Sequence, residues 1–75
     1  MSTSRYERLR RALADARLEQ GLTQFDVASR LSKPQSYVSK YETGERRLDV
    51  VEFLEVCEAM TIDADSILSK LQGPL

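Results

Sequence analysis

The chain has 75 residues and a net charge of −1, with 41% hydrophobic and 31% charged residues, which is ordinary for a soluble globular protein. A chain of this length forms one domain with one small core, and such a domain buries only ~60% of its unfolded surface. Histidine is absent and Cys57 is the only cysteine, so an intramolecular disulfide, a Cys–His catalytic pair and a zinc cluster are excluded.

Apolar residues at helical spacing and recurring capping residues predict helices throughout the chain, and no strand pattern is present. The first helix is predicted over about residues 5–20, because Ser4 and Glu7 have the spacing of a capping box and Gly21 ends the pattern. Its inward face is an apolar stripe formed by Tyr6, Leu9, Leu13 and Ala16.

The second helix, about residues 24–31, begins where Thr23 and Asp26 repeat the capping spacing. Pro34 ends it, because proline lacks an N–H and disfavours helical geometry at the preceding residue. The third helix, about residues 35–43, has Gly44 as its left-handed cap. The residues predicted to point inward from these two helices are Val27, Ala28, Leu31, Val38 and Tyr41.

The fourth helix, about residues 49–60, begins at Asp49 and Glu52, and the fifth, about residues 64–71, is capped by Asp63. The predicted apolar positions of the fourth helix are Val50, Leu54, Cys57 and Met60, and those of the fifth are Ile67, Leu68 and Leu71. Five helices joined by short loops predict a compact all-α architecture, with residues 1–75 forming a single domain.

The net charge conceals an asymmetry along the chain. Residues 1–47 carry ten basic and six acidic side chains, whereas residues 48–75 carry one basic and six acidic side chains. A molecule polarised in this way can meet a polyanion with one face and stay in solution through the other. Splits of this size also arise by chance in small domains, so charge alone does not decide between the two interpretations.

The second and third helices are about two turns long and are joined by roughly three residues, which is the geometry of a helix-turn-helix. Gln35, Ser36 and Lys40 fall on the outer face of the third helix, and Ser39 lies nearer its edge. Glutamine pairs with adenine, serine contacts either kind of base, and lysine reaches guanine or a phosphate. Short polar faces are also commonly just solvated, so the geometry alone leaves both alternatives open.

The stretch "LTQFDVASRL…PQSYVSKYETGERR" resembles the phage repressor and Cro-type helix-turn-helix family, also called the XRE family. The resemblance covers about residues 9–68. It departs from the family pattern at Ser32 and Thr61, where glycine is usual, at Pro34, where a capping serine or threonine is common, and at Leu48, where proline is frequent. Ser32 and Thr61 must either adopt a left-handed conformation or use a different turn.

The resemblance implies a role for individual side chains. The implied base contacts are Gln35, Ser36 and Lys40. The implied phosphate contacts are Gln24, which would also brace Gln35, and Lys33, Tyr37, Thr43, Arg46 and Arg47. Arg17 and Glu42 are implied to form a buried ion pair with an architectural role, whereas the alternative is that both are surface charges.

We expect no catalysis and no cofactor, because the chain lacks histidine, a Gly-rich phosphate loop and an activated nucleophile. The N-terminus lacks an apolar signal region, so we expect a cytoplasmic protein. The favoured function is a sequence-specific transcriptional regulator that binds double-stranded DNA as a homodimer. The alternative is a protein-interaction module such as an antitoxin or antagonist, with exposed Phe25 as an anchor. Candidate dimer-interface residues are Ile62, Ile67, Leu68 and Leu71.

Overall fold

Five α-helices make up the part of the chain that the computed structural model describes, residues 4–72. Gln20, Asp49 and Met60 cap helices rather than belonging to them, so the first helix ends one residue earlier than predicted and the fourth is one residue shorter at each end. No helix in residues 4–72 is long and apolar enough to cross a membrane. The helices are α1 Arg5–Glu19, α2 Gln24–Leu31, α3 Gln35–Thr43, α4 Val50–Ala59 and α5 Ala64–Leu71.

Side-chain caps set the helix starts. Thr23 and Asp26 form a reciprocal capping box at α2, and Asp49 and Glu52 form one at α4, as their spacing predicts. At α1, Ser4 accepts a hydrogen bond from the Glu7 N–H at 3.1 Å. The Glu7 carboxylate accepts from the Ser4 hydroxyl instead of the backbone, so α1 has the serine half of the box.

All four turns between the five helices contain a left-handed residue, the first of them Gly21 with φ of 70°. Gly44 has φ of 91° and closes α3, as predicted, whereas Ser32 and Thr61 both adopt φ of 56°. For a residue that has a Cβ, this left-handed conformation costs roughly 1–2 kcal/mol. The chain therefore retains the left-handed turns after α2 and α4 without the glycines that would make them inexpensive.

The core lies where α1 packs against α5 and α3 while α2 packs against α3 and α4. The side chains that are less than 2% exposed come from α1, α2, α3 and α4 and the cap of α4. The largest of them are Leu13, Val27, Val38, Tyr41, Val56, Cys57 and Met60. Burial raises the pKa of Cys57 to about 11, so this thiol stays protonated at neutral pH and packs as a small hydrophobe, as expected.

The predicted inward face of α4 is wrong in its first half. Val50 is 73% and Leu54 45% exposed. Phe53, Val56 and the predicted Cys57 are the buried residues of the helix. Each residue advances about 100° around a helix, so Leu54 lies about a quarter turn away from Phe53. The face of α4 that packs against α2 and the rest of the core is the one that contains Phe53.

One predicted dimer-interface residue belongs to the core. Ile67 is 2% exposed and packs with the buried cluster, so it is unavailable to a partner. Ile62 is partly buried against the same cluster, Leu71 is half-buried, and Leu68 is 39% exposed. A small core uses most of its apolar side chains, which is why α5 contributes one fully buried residue and leaves only its edge accessible.

Candidate nucleic-acid interface

The α2–α3 unit holds its two helices in a fixed relation. Ser32 turns the chain in a left-handed conformation, and the Lys33 N–H donates to the Ala28 carbonyl at 2.9 Å. Pro34 then takes the N-cap position of α3 in an extended conformation, a place where its missing N–H costs nothing. Val38 on α3 is completely buried, so α3 has one fixed rotation about its axis.

That rotation places the predicted base-contact residues outward. Gln35, Ser36 and Lys40 are exposed, and Ser39 is half-buried at the edge of the face. The outward side chains supply an amide, a hydroxyl and an ammonium group, which are the donors and acceptors that read base edges in the major groove. The front of α3 is thus a polar surface on a rigid, internally anchored helix.

A chain of hydrogen bonds connects the interior to Gln35. Arg17 contacts both carboxylate oxygens of Glu42, with Nε to Oε2 at 2.8 Å and Nη2 to Oε1 at 3.1 Å. Gln24 Nε2 donates to Glu42 Oε1 at 3.0 Å. Gln35 Nε2 in turn donates to Gln24 Oε1 at 3.3 Å. The first residues of α2 and α3 are therefore tied to each other and to α1.

The Arg17–Glu42 pair is nearly sealed from solvent. The two side chains are 12% and 9% exposed, and Arg17 Nη1 also donates to the Leu22 carbonyl at 2.9 Å. The hydrogen bond to Glu42 raises the pKa of Arg17, against the opposing effect of burial. The pair joins α1, the loop before α2, and α3, which is an architectural position.

Three of the predicted phosphate contacts lie at the end of α3 and in the loop that follows it. The Thr43 hydroxyl donates to the Lys40 carbonyl at 3.2 Å. Arg46 forms an ion pair with Glu52 at 2.5 Å, and its guanidinium lies 4.7 Å from the Tyr37 ring centroid. Arg47 is exposed, and within residues 4–72 its guanidinium makes no ion pair. The charge of Arg46 is thus already paired with Glu52, whereas the charge of Arg47 has no acidic partner within residues 4–72.

Tyr37 was predicted to contact a phosphate, and this contact stays a prediction, while the structure packs the side chain against the core. Its side chain is buried, its ring meets the Tyr41 ring edge-on with centroids 5.9 Å apart, and burial raises its pKa. Lys33 Nζ lies 5.5 Å and Arg46 4.7 Å from the ring centroid. Tyr37 is therefore a packing platform under two cations. Helical spacing did not predict the burial of Tyr37, because it assigned only Val38 and Tyr41 of α3 to the inward face. In the structure Tyr37 faces the core as well.

Sequence reasoning assigned Tyr6 of α1 only to the inward apolar stripe and did not single out Arg10. The Tyr6 hydroxyl accepts a hydrogen bond from the Leu48 N–H at 2.9 Å, which ties α1 to the loop after α3. The guanidinium of Arg10 packs against Gly44 and lies 6.0 Å from the Tyr6 ring centroid. The partners of α1 in this contact lie more than 30 positions later in the chain, so helical periodicity carries no signal for it.

A family model described as Helix-turn-helix matches residues 13–67 of the chain. The chain belongs to the XRE helix-turn-helix family. Its fold, with α2 and α3 as the helix-turn-helix, is the all-α architecture that the sequence predicts. Membership in this family is consistent with a DNA-binding transcriptional regulator.

Solved structures agree with this assignment. An XRE-family like protein from Pseudomonas syringae pv. tomato str. DC3000 is 48% identical, with a TM-score of 0.86, over 91% of this chain and 83% of that chain. The clp gene regulator ClgR from C. glutamicum is 23% identical, with a TM-score of 0.84, over 93% of this chain and 91% of that one. The restriction-modification controller protein C.Esp1396I is 20% identical, with a TM-score of 0.83, over 93% and 90% of the two chains. The last two show the fold alone. No curated protein matches this XRE-family chain.

The XRE-family domain also exposes apolar side chains in two places. Val50, Val51 and Leu54 of α4 and Leu68 of α5 are between 39% and 73% exposed, and we call these four residues the α4–α5 apolar face. Leu68 and Val50 line one groove together with Leu9, Leu48, Phe53 and Leu71. In the second place, Leu18 and Phe25 are 62% and 65% exposed and line a groove with Gln24 and Gln35.

Proposed function

We propose that this XRE-family protein is a sequence-specific DNA-binding transcriptional regulator that inserts α3 into the major groove. The observation that carries the proposal is the hydrogen-bond chain from Arg17 through Glu42 and Gln24 to Gln35. A glutamine amide held in place before DNA arrives loses less conformational freedom on binding, so its hydrogen bonds to a base edge contribute more to affinity.

Three outward side chains of α3 would carry the sequence information. Gln35 is placed to pair with an adenine, Ser36 with the neighbouring base pair, and Lys40, one turn further along, with a guanine or a phosphate. A correct bidentate contact discriminates against the wrong base by about 1–3 kcal/mol. Loss of Gln35 should therefore remove preference at one position of the site, while general attraction to DNA persists.

The backbone contacts would come from residues at either end of the α2–α3 unit. Gln24 lies at the start of α2, Lys33 in the turn, and Thr43 and Arg47 at and after the end of α3. These contacts would fix the register of α3 and supply most of the salt dependence, because phosphates carry no sequence information. Arg46 would need to release Glu52 to contribute fully.

We further propose that the protein binds as a dimer to a two-fold operator. One helix-turn-helix offers a small contact area, and half-sites of this class lie about 34 Å apart. The described fold measures 34 × 24 × 23 Å, so two copies placed side by side span successive major grooves without a linker. The accessible candidates for the contact are Leu68 and Leu71 of the predicted set, together with Val50, Val51 and Leu54 of the α4–α5 apolar face.

The test is a fluorescence-anisotropy titration of the protein against the DNA upstream of its own gene and a scrambled duplex, each at two salt concentrations. We expect a preference for the native DNA of about 10³ or more and a steep fall with salt. Gln35→Ala should abolish most of that preference. Gln72→Ala, a matched glutamine at the far end of α5, should leave it unchanged.

Equal binding of both duplexes by the wild-type protein would contradict an operator in that DNA. The titration would then be repeated on genomic fragments selected by the protein. Failure to select any sequence would refute the proposal of sequence-specific regulation. Analytical ultracentrifugation of the protein and of Leu68→Glu tests the dimer separately, since a charge on the α4–α5 apolar face should shift the population towards monomer.

A protein-interaction module is the second candidate, and the exposed Leu18 and Phe25 side chains favour it. Large apolar side chains exposed side by side are characteristic of contact sites, and aromatic residues commonly anchor them. Under this alternative, Phe25→Ala abolishes capture of a protein partner, and Gln35→Ala leaves that capture intact. Under the regulator proposal, Gln35→Ala is the variant that loses function.

A further inference from the structure

We propose that Arg10 and Arg47, held around the ring of Tyr6, form a second phosphate-binding site outside the α2–α3 unit. The guanidinium carbons of Arg10 and Arg47 lie 6.0 and 4.4 Å from the same Tyr6 ring centroid. The ligand would be the phosphodiester backbone of the DNA beside the α3–α4 loop. This inference rests on the proposed function, and it adds residues of α1 to the interface.

The first supporting observation is that two cations share one aromatic ring and neither is paired with an anion in the described part of the chain. Within residues 4–72, neither Arg10 nor Arg47 forms an ion pair. Glu7 and Glu42 line the same depression as Arg10. The Glu42 carboxylate already accepts from Arg17 and Gln24, and the Glu7 carboxylate accepts from the Ser4 hydroxyl. Like charges held close together repel each other, so an anion that bridges them is strongly favoured.

The second observation is an unsatisfied guanidinium. Arg10 has five N–H donors, yet its buried Nε has no partner, and no hydrogen bond joins the guanidinium to any other residue in the range 4–72. Buried donors without partners are rare and costly, and a bound ion or water is one explanation for them. A phosphate oxygen beside the terminal amino groups would supply charge-assisted acceptors, for which arginine has a suitable planar fork.

The third observation is that the cluster connects two segments of the chain. The guanidinium of Arg10 crosses the end of α3 at Gly44, where an added Cβ would lie 2.6 Å from Nη1 and 2.9 Å from Cζ. The Tyr6 hydroxyl accepts from the Leu48 N–H at 2.9 Å, which fixes the ring to the loop that carries Arg47. The site therefore joins α1 to the segment proposed to follow the DNA backbone.

The two guanidinium groups lie close enough to serve one stretch of backbone. Both guanidinium carbons lie within 6.0 Å of the Tyr6 ring centroid. Arg47 and Arg10 would each take one phosphate of the backbone beside the α3–α4 loop. Each such contact adds about 0.9 to the slope of log K against log salt concentration.

The experiment measures that slope for the full chain, on operator and scrambled duplex, with Arg10→Gln, Arg47→Gln, the double variant and Lys70→Gln. Lys70→Gln removes the same charge from α5 and serves as the matched control. We expect each single arginine variant to lower the slope by about 0.9, and the double variant by about 1.8. The ratio between the two duplexes should stay unchanged, because phosphate contacts are independent of sequence.

An Arg10→Gln slope equal to that of the wild type and of Lys70→Gln would overturn the inference while leaving the proposed function intact. A wild-type protein that binds no DNA would overturn both. If Arg10→Gln fails to fold, the Nε–H signals of Arg10 and Arg47 in the wild-type protein are followed by NMR during DNA addition. Both signals should shift together, and an unmoved Arg10 signal would refute the site.

Discussion

Replacement of Glu42 by alanine should destabilise the protein more than loss of a surface charge. Glu42 accepts three hydrogen bonds of 2.8–3.1 Å from Arg17 and Gln24, and its side chain is 9% exposed. The variant leaves the Arg17 guanidinium, 12% exposed, with only the Leu22 carbonyl as a partner. Breaking a buried pair by removing one member costs about 3–5 kcal/mol, because the other charge stays buried without compensation.

That cost is a large share of the total free energy of unfolding of the domain. At about 0.05–0.15 kcal/mol per residue, a domain of this size has roughly 4–11 kcal/mol of unfolding free energy. Each kcal/mol corresponds to about 4–8 °C in Tm at this length, so Glu42→Ala should lower Tm by about 12 °C or more. Thermal and urea unfolding followed by circular dichroism measure the change.

Glu45→Ala is the matched control, because Glu45 is an exposed carboxylate three residues further along the chain. Substitutions at such positions are usually within about 0.5 kcal/mol of neutral. Equal losses of Tm in Glu42→Ala and Glu45→Ala would refute the reasoning. A second arm replaces both members with apolar residues, Arg17→Met with Glu42→Leu, which should recover most of the stability. The double variant should still bind DNA less well, since Gln24 loses its acceptor and Gln35 its brace.

The remaining predictions concern stability. Tyr41→Phe should raise the free energy of unfolding by about 1 kcal/mol in urea titration, because the buried Tyr41 hydroxyl has no hydrogen-bond partner within residues 4–72; an equal or lower value would contradict this. Ser32→Gly should raise the free energy of unfolding by ~1 kcal/mol, because glycine relieves the cost of the left-handed φ of 56°. Ser29→Gly inside α2 should lower the free energy of unfolding by a similar amount. A change of the same sign in both variants would disprove the argument. Hydrogen bonds, first from Arg46, lower the pKa of Glu52 from 4.5 to about 2. A lowered pKa in the folded state contributes stability that is present above pH 4.5 and lost as the pH falls towards 2. The Tm advantage of wild type over Glu52→Gln, measured by thermal melts from neutral pH to pH 2, should therefore shrink across that window, and an advantage that persists at pH 2 would exclude the linkage.

Several features were predictable because their causes are local. The capping boxes at Thr23 and Asp49 and the left-handed Gly44 depend on residues within three or four positions of one another. The outward position of Gln35 follows from helical geometry once Val38 is recognised as buried. Ser32 left two turns open to sequence reasoning, and the structure has the left-handed one, because the Lys33 N–H then reaches the Ala28 carbonyl.

Other features were predicted wrongly because the competing positions look alike in sequence. Val50 and Leu54 have the same apolar character and helical spacing as Phe53 and Val56, so periodicity alone did not choose the buried face of α4. Ile67 and Leu68 are adjacent apolar residues, and one is 2% while the other is 39% exposed. Which of two such residues is buried depends on the packing of neighbouring helices, and these helices lie elsewhere in the chain.

By itself, the sequence determined five helices, their caps and a polar front on α3, since these depend on interactions within one or two helical turns. The tertiary structure decided which faces are buried, that Tyr37 is a packing platform, and that Arg10 and Arg47 share one ring. The Tyr6–Leu48 hydrogen bond spans 42 positions. Contacts at such separation depend on how whole helices pack, so no local pattern of residues encodes them.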